Sequence, residues 1–277
     1  MQIKKVKNDV VILDCCDFDL EKTFECGQCF RWNKQIDGSY TGVVNNKVVH
    51  IHKINDEIIL KGTSIEDFND LLENYFDLKT NYSNINKAIC DMPFIGDACK
   101  YSAGIKILKQ DPWEVLISFI ISQNNNIPRI KNIINSFCKK FGKKIYGEYF
   151  TFPAVEDLKN ITLNDLCELK CGFRDKYIID AIEKIINREV ILNDLYFMDV
   201  QEARERLMKI KGVGKKVADC TLLYGFSKMN CFPVDVWIKK VITKFFENGL
   251  PPIKKEYMGV VQQYIFYYVR SNPDVLN

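Results

Sequence analysis

The chain has 277 residues, 47% of them hydrophobic and 27% charged, with a formal net charge of +3. That supplies a buried core for two or three domains, while its most apolar stretches, such as VLISFII at 115–121, fall far short of the roughly 20 residues a membrane helix needs. The basic start MQIKKVKNDVVILDCC has neither the apolar run nor the cleavage site of a secretory leader, and the eleven cysteines are odd in number and irregularly spaced, so reduced thiols in a cytosol are expected.

In chain order, DVVILD, SYTGVV, KVVHIHK and EIILKG read as short strands of a meander, with Asn45-Asn46 as a hairpin turn. After Ser64 the period changes. Ile65, Phe68, Leu71, Leu72 and Tyr75 recur at helical spacing behind a serine cap, and helices fill almost all the rest. DPWEVLISFIISQ opens with Asp111 as N-cap, Pro112 at the first helical position and Glu114 completing a capping-box pattern, then is apolar on nearly every side, as a central buried helix is. It ends at Asn124–Asn126. Pro128 opens the next helix, whose stripe of Ile130, Ile133, Ile134, Phe137 and Phe141 is stopped by Gly142. Further helices are expected at about 175–188, 200–210, 215–226, 236–248 and 254–270. Strands first and helices afterwards imply an α+β fold: an antiparallel sheet domain with a helix over 1–99, then a mostly α-helical body over 100–277.

The best metal-like spacing is Cys26–Cys29 of CGQC, but a zinc site needs a second pair. Cys167 and Cys171 are the candidates, and the two histidines, His50 and His52, alternate along a strand; no metal site is read here. Positive charge is clustered rather than abundant. Lys209, Lys211, Lys215 and Lys216 fall within eight residues free of acids, and KKFGKK at 139–144 is a second cluster. Such runs are usually solvated faces.

IKGVGKKVADC at 210–220 joins two apolar-faced helices through a very short turn. Gly212 and Gly214 permit close approach, Val213 plugs the gap, and the backbone N–H groups of the turn and of the following helix, with Lys211 and Lys215 beside them, make a phosphate site. Phosphate contacts position a protein on DNA without reading its sequence. A helix pair with merely exposed lysines is the bland alternative.

The wider string LMKIKGVGKKVADC, followed by FPVDVW, resembles the helix-hairpin-helix DNA glycosylases, specifically the 8-oxoguanine DNA glycosylase/lyase family of the eukaryotic type, in a compact bacterial or archaeal form. The resemblance runs from FECGQCFRW to VVQQYIF. It puts the hairpin at about 200–226, the catalytic loop and helix at 232–248 and the pocket helix at 254–270, and it makes Lys216 the nucleophile and Asp235 the active-site carboxylate. A lysine attacks a sugar carbon only as the neutral amine, which neighbouring cations and a helix N-terminus both favour. Asp235 precedes VWIKKVITKFF and is also a natural N-cap.

By the same resemblance, Gly27 offers its carbonyl to the N7 hydrogen of 8-oxoguanine, Gln262 and Phe266 bind and stack on the extruded base, Cys220 lies on the pocket's other side and Phe119 close by. Asn124, Arg129 and Arg174 face the orphaned partner base, with Phe173 as the wedge. Without the resemblance, Asn124 is a helix C-cap, and Phe119, Phe173 and Phe266 are core residues. The chain departs from the family at Lys211, where proline is frequent, and at Trp237, where histidine is usual. The implied partner is double-stranded DNA containing 8-oxoguanine, bound by a monomer in the cytoplasm, with no membrane and no required cofactor, and the hairpin carbonyls are candidates for a structural cation. Two other readings are a glycosylase of this superfamily for another damaged base and a non-catalytic DNA-binding repair protein. The endonuclease III type carries four C-terminal cysteines around an iron–sulfur cluster, whereas the last cysteine here is Cys231.

Overall fold

The computed structural model describes Gln2–Asn277. In chain order it contains β1 (Gln2–Val6), β2 (Asp9–Leu13), α1 (Leu20–Glu25), β3 (Trp32–Lys34), β4 (Tyr40–Val44), β5 (Lys47–Ile54) and β6 (Glu57–Lys61). Then α2 (Ile65–Asp67) and α3 (Glu73–Tyr75) flank a π turn at Phe68–Leu72, followed by α4 (Tyr82–Ile89), α5 (Ile95–Ser102), α6 (Pro112–Ser122) and α7 (Ile127–Phe141). A short hairpin, β7 (Lys144–Tyr146) and β8 (Tyr149–Phe150), leads to α8 (Leu163–Cys167), α9 (Asp175–Ile186), α10 (Val200–Leu207), α11 (Lys215–Phe226), α12 (Val236–Phe245) and α13 (Met258–Ser271). The six long-sheet strands lie in the order β1-β2-β6-β5-β4-β3, the antiparallel sheet expected ahead of a helical body.

Local chemistry sets many of the starts. Ser64, Asp111, Asn126, Asp199 and Asp235 each accept a backbone N–H from the third residue onward, as N-caps do. The capping box read at 111–114 is only half formed. Asp111 accepts from the Glu114 N–H, but the Glu114 carboxylate pairs with buried Arg31 at 3.1 Å, because a buried guanidinium needs a counter-charge more than the helix needs a second cap. The expected ends at 188, 210 and 248 contract to 186, 207 and 245, and the last helix starts at Met258 after a 3₁₀ turn at Lys255–Tyr257. β1 escapes a hydrophobic-pattern reading because QIKKV lies at the sheet's edge with its side chains largely exposed, held by backbone pairing of Gln2–Val6 with Leu13–Asp9.

Two compact units partition the chain. One comprises Met1–Gln28, Ile51–Lys109 and Lys228–Asn277. Its sheet strands bury Val10, Ile12, Ile58 and Leu60, and its α5 packs on α13, where Ser102 Oγ donates to the Tyr264 carbonyl at 2.9 Å. The Gln28 amide joins the loop after α1 to the segment before α6, donating to the Thr23 and Lys106 carbonyls and accepting from the Leu108 N–H.

The other unit comprises Cys29–His50 and Gln110–Ser227. Its centre is α6, in which Trp113 and every residue of Val115–Ile121 are buried, as a helix apolar all round demands. Helix α6 packs on α11 and α7. Phe119 of α6 stacks on Tyr224 of α11 with ring centroids 5.5 Å apart and meets Phe30 edge-on at 5.7 Å.

Candidate active site and nucleic-acid interface

The turn between α10 and α11 is built around Gly212. Its φ of +79° lies in the left-handed region, and a Cβ there would come within 2.3 Å of the Tyr177 ring, so both backbone and space require glycine. Val213 is buried and its N–H donates to the Ile210 carbonyl at 3.0 Å, which is the plug read from the sequence. The Lys211 N–H donates to Asp180 Oδ2 at 2.6 Å. Gly214 caps α11 without any side-chain hydrogen bond, so the first N–H groups of that helix have no side-chain acceptor.

The two basic clusters differ in a way the sequence does not disclose. Lys139, Lys140 and Lys143 pair with Glu148, with Glu168 and Asp165, and with Asp157. Lys209, Lys211 and Lys215 are exposed and, among the described residues, take part in no ion pair. Three of the four lysines of the 139–144 cluster are thus matched by carboxylates, whereas the ammonium groups of Lys209, Lys211 and Lys215 have no ion-pair partner among the described residues.

Lys216 lies in the first turn of α11, half-buried, with Nζ 4.8 Å from the centroid of the Phe119 ring. Phe119 itself is a core residue held between Phe30 and Tyr224, so its contribution is a fixed apolar floor beneath the amine. Cys220 is buried one turn further along α11. Sequence reasoning missed Asp219, nearly fully buried on the same helix, which accepts from Arg204 Nε of α10 at 2.5 Å. Burial pushes the Asp219 carboxyl up, and the Arg204 hydrogen bond and charge oppose that rise. The pair ties the two helices of the hairpin together.

Beyond α6 the chain turns at Gln123 and Asn124. Gln123, not Asn124, is the helix C-cap, and Asn124 has φ +48°. Arg174 is buried and holds this turn: it donates to the Gln123, Asn124 and Cys171 carbonyls, Nε to Gln123 at 2.9 Å and a terminal nitrogen to Asn124 at 2.9 Å. Arg129 donates to the Lys170 carbonyl at 3.2 Å. Thus Asn124, Arg129 and Arg174 are brought together where the turn after α6 and the first turn of α7 meet the segment 170–174. Phe173 is 51% exposed, with the Arg174 guanidinium 4.5 Å from its ring centroid and the Tyr177 ring edge-on at 5.8 Å. It is therefore a presented aromatic and not a core residue. Asp175, also missed, has Oδ1 buried without a partner, and burial raises its carboxyl above the ordinary value.

The remaining site residues belong to the first unit. Gly27 has φ +85°, a conformation open to glycine. The two carbonyls before it are taken by α13, Cys26 by Gln263 Nε2 at 3.2 Å and Glu25 by Arg270. On α13 itself Gln262 is 4% exposed; its Nε2 donates to the Pro233 carbonyl at 3.1 Å while Oε1 is buried with no partner. A buried acceptor without a donor is costly and marks a place where a ligand N–H fits. Phe266, one turn on, is half-buried with the Arg270 guanidinium 5.4 Å from its ring centroid. Asp235 is half-buried, and its Oδ1 accepts from the Ile238 N–H at 2.9 Å. Trp237 lies under Lys240, whose Nζ is 5.5 Å from its ring centroid.

The Cys26 thiol is buried and pushed up to about 12, donating to the Thr23 carbonyl, the state of a core thiol and not of a metal-binding thiolate. Among the described residues no group of three or more His, Cys, Asp or Glu side chains is gathered to hold a metal ion, and no helix is long and apolar enough to cross a membrane.

Residues 10–116 match the family model described as 8-oxoguanine DNA glycosylase, N-terminal domain, and residues 117–258 match that of the HhH-GPD superfamily base excision DNA repair proteins. Among solved structures, the Clostridium acetobutylicum 8-oxoguanine glycosylase/lyase, in complex with double-stranded DNA containing cytosine opposite 8-oxoguanine, is 37% identical and superposes with a TM-score of 0.92 over 99% of both chains. The N-glycosylase/DNA lyase of Saccharomyces cerevisiae is 38% identical over 56% of this chain, a match spanning 46% of the yeast protein. The protein named Probable N-glycosylase/DNA lyase of Methanothermobacter thermautotrophicus is 28% identical, with 91% of this chain and 92% of the relative covered.

Proposed function

The chain belongs to the HhH-GPD superfamily of base excision DNA repair proteins, in its 8-oxoguanine glycosylase/lyase branch, and on that premise we propose that it excises 8-oxoguanine from duplex DNA and nicks the strand it has opened. Lys216 is the nucleophile. Its neutral amine bonds to C1′ as the bond from C1′ to the base breaks, and the base leaves with a proton. The C1′–O4′ bond then breaks as O4′ takes a proton, which opens the sugar ring and leaves a protonated imine between C1′ and the lysine nitrogen that acidifies the C2′ hydrogen. Loss of that proton and cleavage of the C3′–O bond complete β-elimination, leaving a 5′-phosphate on the released strand. No metal or organic cofactor enters any of these steps. Asp235 carries two roles: Oδ1 caps α12, and its negative charge stabilises the cationic sugar as the base departs.

Gln262 reads the extruded base, Phe266 stacks on it, Cys220 is a further base-contacting residue, and Phe119 supports Lys216. The Gly27 carbonyl accepts the N7 hydrogen that guanine lacks. Asn124 and Arg129, with Arg174 behind them, meet the orphaned base, and Phe173 fills the vacated stack. The hairpin from Lys211 to Lys215 holds phosphate. As a repair enzyme it acts as a monomer on the chromosome, in the cytoplasm of a prokaryotic cell.

The observation that carries this reading is the half-buried Lys216 amine, fixed over Phe119 on a hairpin whose other lysines are unpaired. Borohydride reduction during reaction with an 8-oxoguanine duplex is expected to give a covalent protein–DNA adduct that disappears in Lys216→Gln. An adduct that persists in that variant assigns the nucleophile to another residue.

A further inference from the structure

Phe173, Tyr177 and Asp180 follow one another at spacings of four and three residues along the helical run that begins at Gly172 and continues as α9. That spacing places them on one face. The face has an exposed ring at one end: Phe173 is 51% exposed and meets Tyr177 edge-on at 5.8 Å. At the other end it holds the α10–α11 turn by two adjacent residues. The Tyr177 ring lies against Gly212 so closely that a Cβ there would come within 2.3 Å of Tyr177 Cγ and Cδ2, and Asp180 Oδ2 accepts from the Lys211 N–H at 2.6 Å.

The second contact needs a backbone N–H at position 211: a proline there would have none to donate, whereas Lys211 has one and uses it. The hydrogen bond also has a cost for phosphate binding, since it removes one turn N–H from the anion site and places a carboxylate beside it. A contact of this kind makes sense as a mechanical fixture.

We propose that Tyr177 and Asp180 are positioning residues that lock the phosphate-holding turn to the Phe173 wedge, so that seating a phosphate in the turn sets how deeply the wedge enters the duplex. This rests on the glycosylase reading above. Neither side chain touches the reacting atoms; each acts through a neighbour. Rigid spacing matters because displacement of a catalytic arrangement by about 1 Å can lower a rate about a hundredfold, and side chains presented from a helix hold position better than those on a free loop.

The test compares two reactions of the full chain under single-turnover conditions: excision of 8-oxoguanine, which requires a base to be extruded and its gap filled, and nicking at a pre-formed abasic site, which has no base to extrude. Tyr177→Leu and, separately, Asp180→Ala are expected to slow excision about tenfold while changing abasic-site nicking and affinity for undamaged duplex by less than about twofold. Tyr177→Phe keeps the ring and Asp180→Asn keeps an acceptor for the Lys211 N–H, so both are expected to match the wild type. Asp180→Ala is the safeguard if Tyr177→Leu melts early, since it removes a single hydrogen-bond acceptor and leaves the Tyr177 ring in place.

Equal slowing of excision and nicking, or no slowing of excision in either variant, overturns the proposal. In the second case, slow excision by Phe173→Ala with normal excision by wild type leaves the glycosylase reading intact. A wild-type protein that removes no 8-oxoguanine overturns both.

Discussion

Asp235 is the residue at which structural and chemical roles are most readily separated. Its Oδ1 accepts the Ile238 N–H at 2.9 Å as the N-cap of α12. Asparagine caps about as well as aspartate, whereas alanine costs about 1 kcal/mol, which lowers the melting temperature of a chain of this size by about 2–4 °C. The charge has a different scale. Opposite unit charges about 4 Å apart at an effective dielectric constant near 20 attract by about 4 kcal/mol, and every 1.36 kcal/mol is a factor of ten in rate. Losing the carboxylate is therefore expected to slow base excision by about two to three orders of magnitude, whichever residue replaces it. Single-turnover excision and thermal melting of Asp235→Asn and Asp235→Ala measure the two scales independently. The expected pattern is similar slow excision in both variants with a lowered melting temperature in the alanine variant alone. An asparagine variant that excises within about threefold of wild type would refute the electrostatic role and leave only the cap.

Lys215→Gln is expected to weaken duplex binding and to reduce the slope of log K against log salt by about 1, whereas Lys140→Gln leaves both unchanged because Glu168 already holds that ammonium at 2.6 Å; anisotropy titrations across a salt series distinguish them. Arg129→Ala is expected to narrow the preference for cytosine opposite the lesion by about tenfold, the scale of one lost bidentate base contact, and excision rates opposite all four bases give the ratio; an unchanged ratio removes Arg129 from reading that base. Asp175, whose folded-state carboxyl is raised by burial, contributes stability that is present below its ordinary value of 3.8 and is lost as pH rises through its folded value. Asp175→Asn lacks this titration. The stability of the variant relative to wild type should therefore increase as pH rises from 3.8 upward and then level off, as read by denaturant unfolding at a series of pH values; a difference independent of pH would mean that the carboxyl is not raised.

Much of the site is written in neighbouring residues. The caps at Asp111 and Asp235, the central apolar helix Pro112–Ser122, the glycine-bounded turn with Lys216 at the following helix start and the Gln262–Phe266 spacing all follow from contacts within a few residues, where backbone geometry and side-chain chemistry are determined locally. Resemblance then attached chemistry to those positions. Only the tertiary structure decided which charges are free and which are matched. Lys139 and Lys140 look as cationic in the sequence as Lys211 and Lys215, and Arg174 looks as available as Arg129, yet the first pair is neutralised by Glu148 and Glu168 and Arg174 is bound to the carbonyls of Gln123 and Asn124. The buried Arg204–Asp219 pair, the Arg31–Glu114 pair that displaced a capping box, the edge strand β1 and the Tyr177 ring beneath Gly212 belong to the same class. A partner distant along the chain is selected by packing and by the cost of leaving a buried polar group unmatched, and neither quantity exists until the chain has folded.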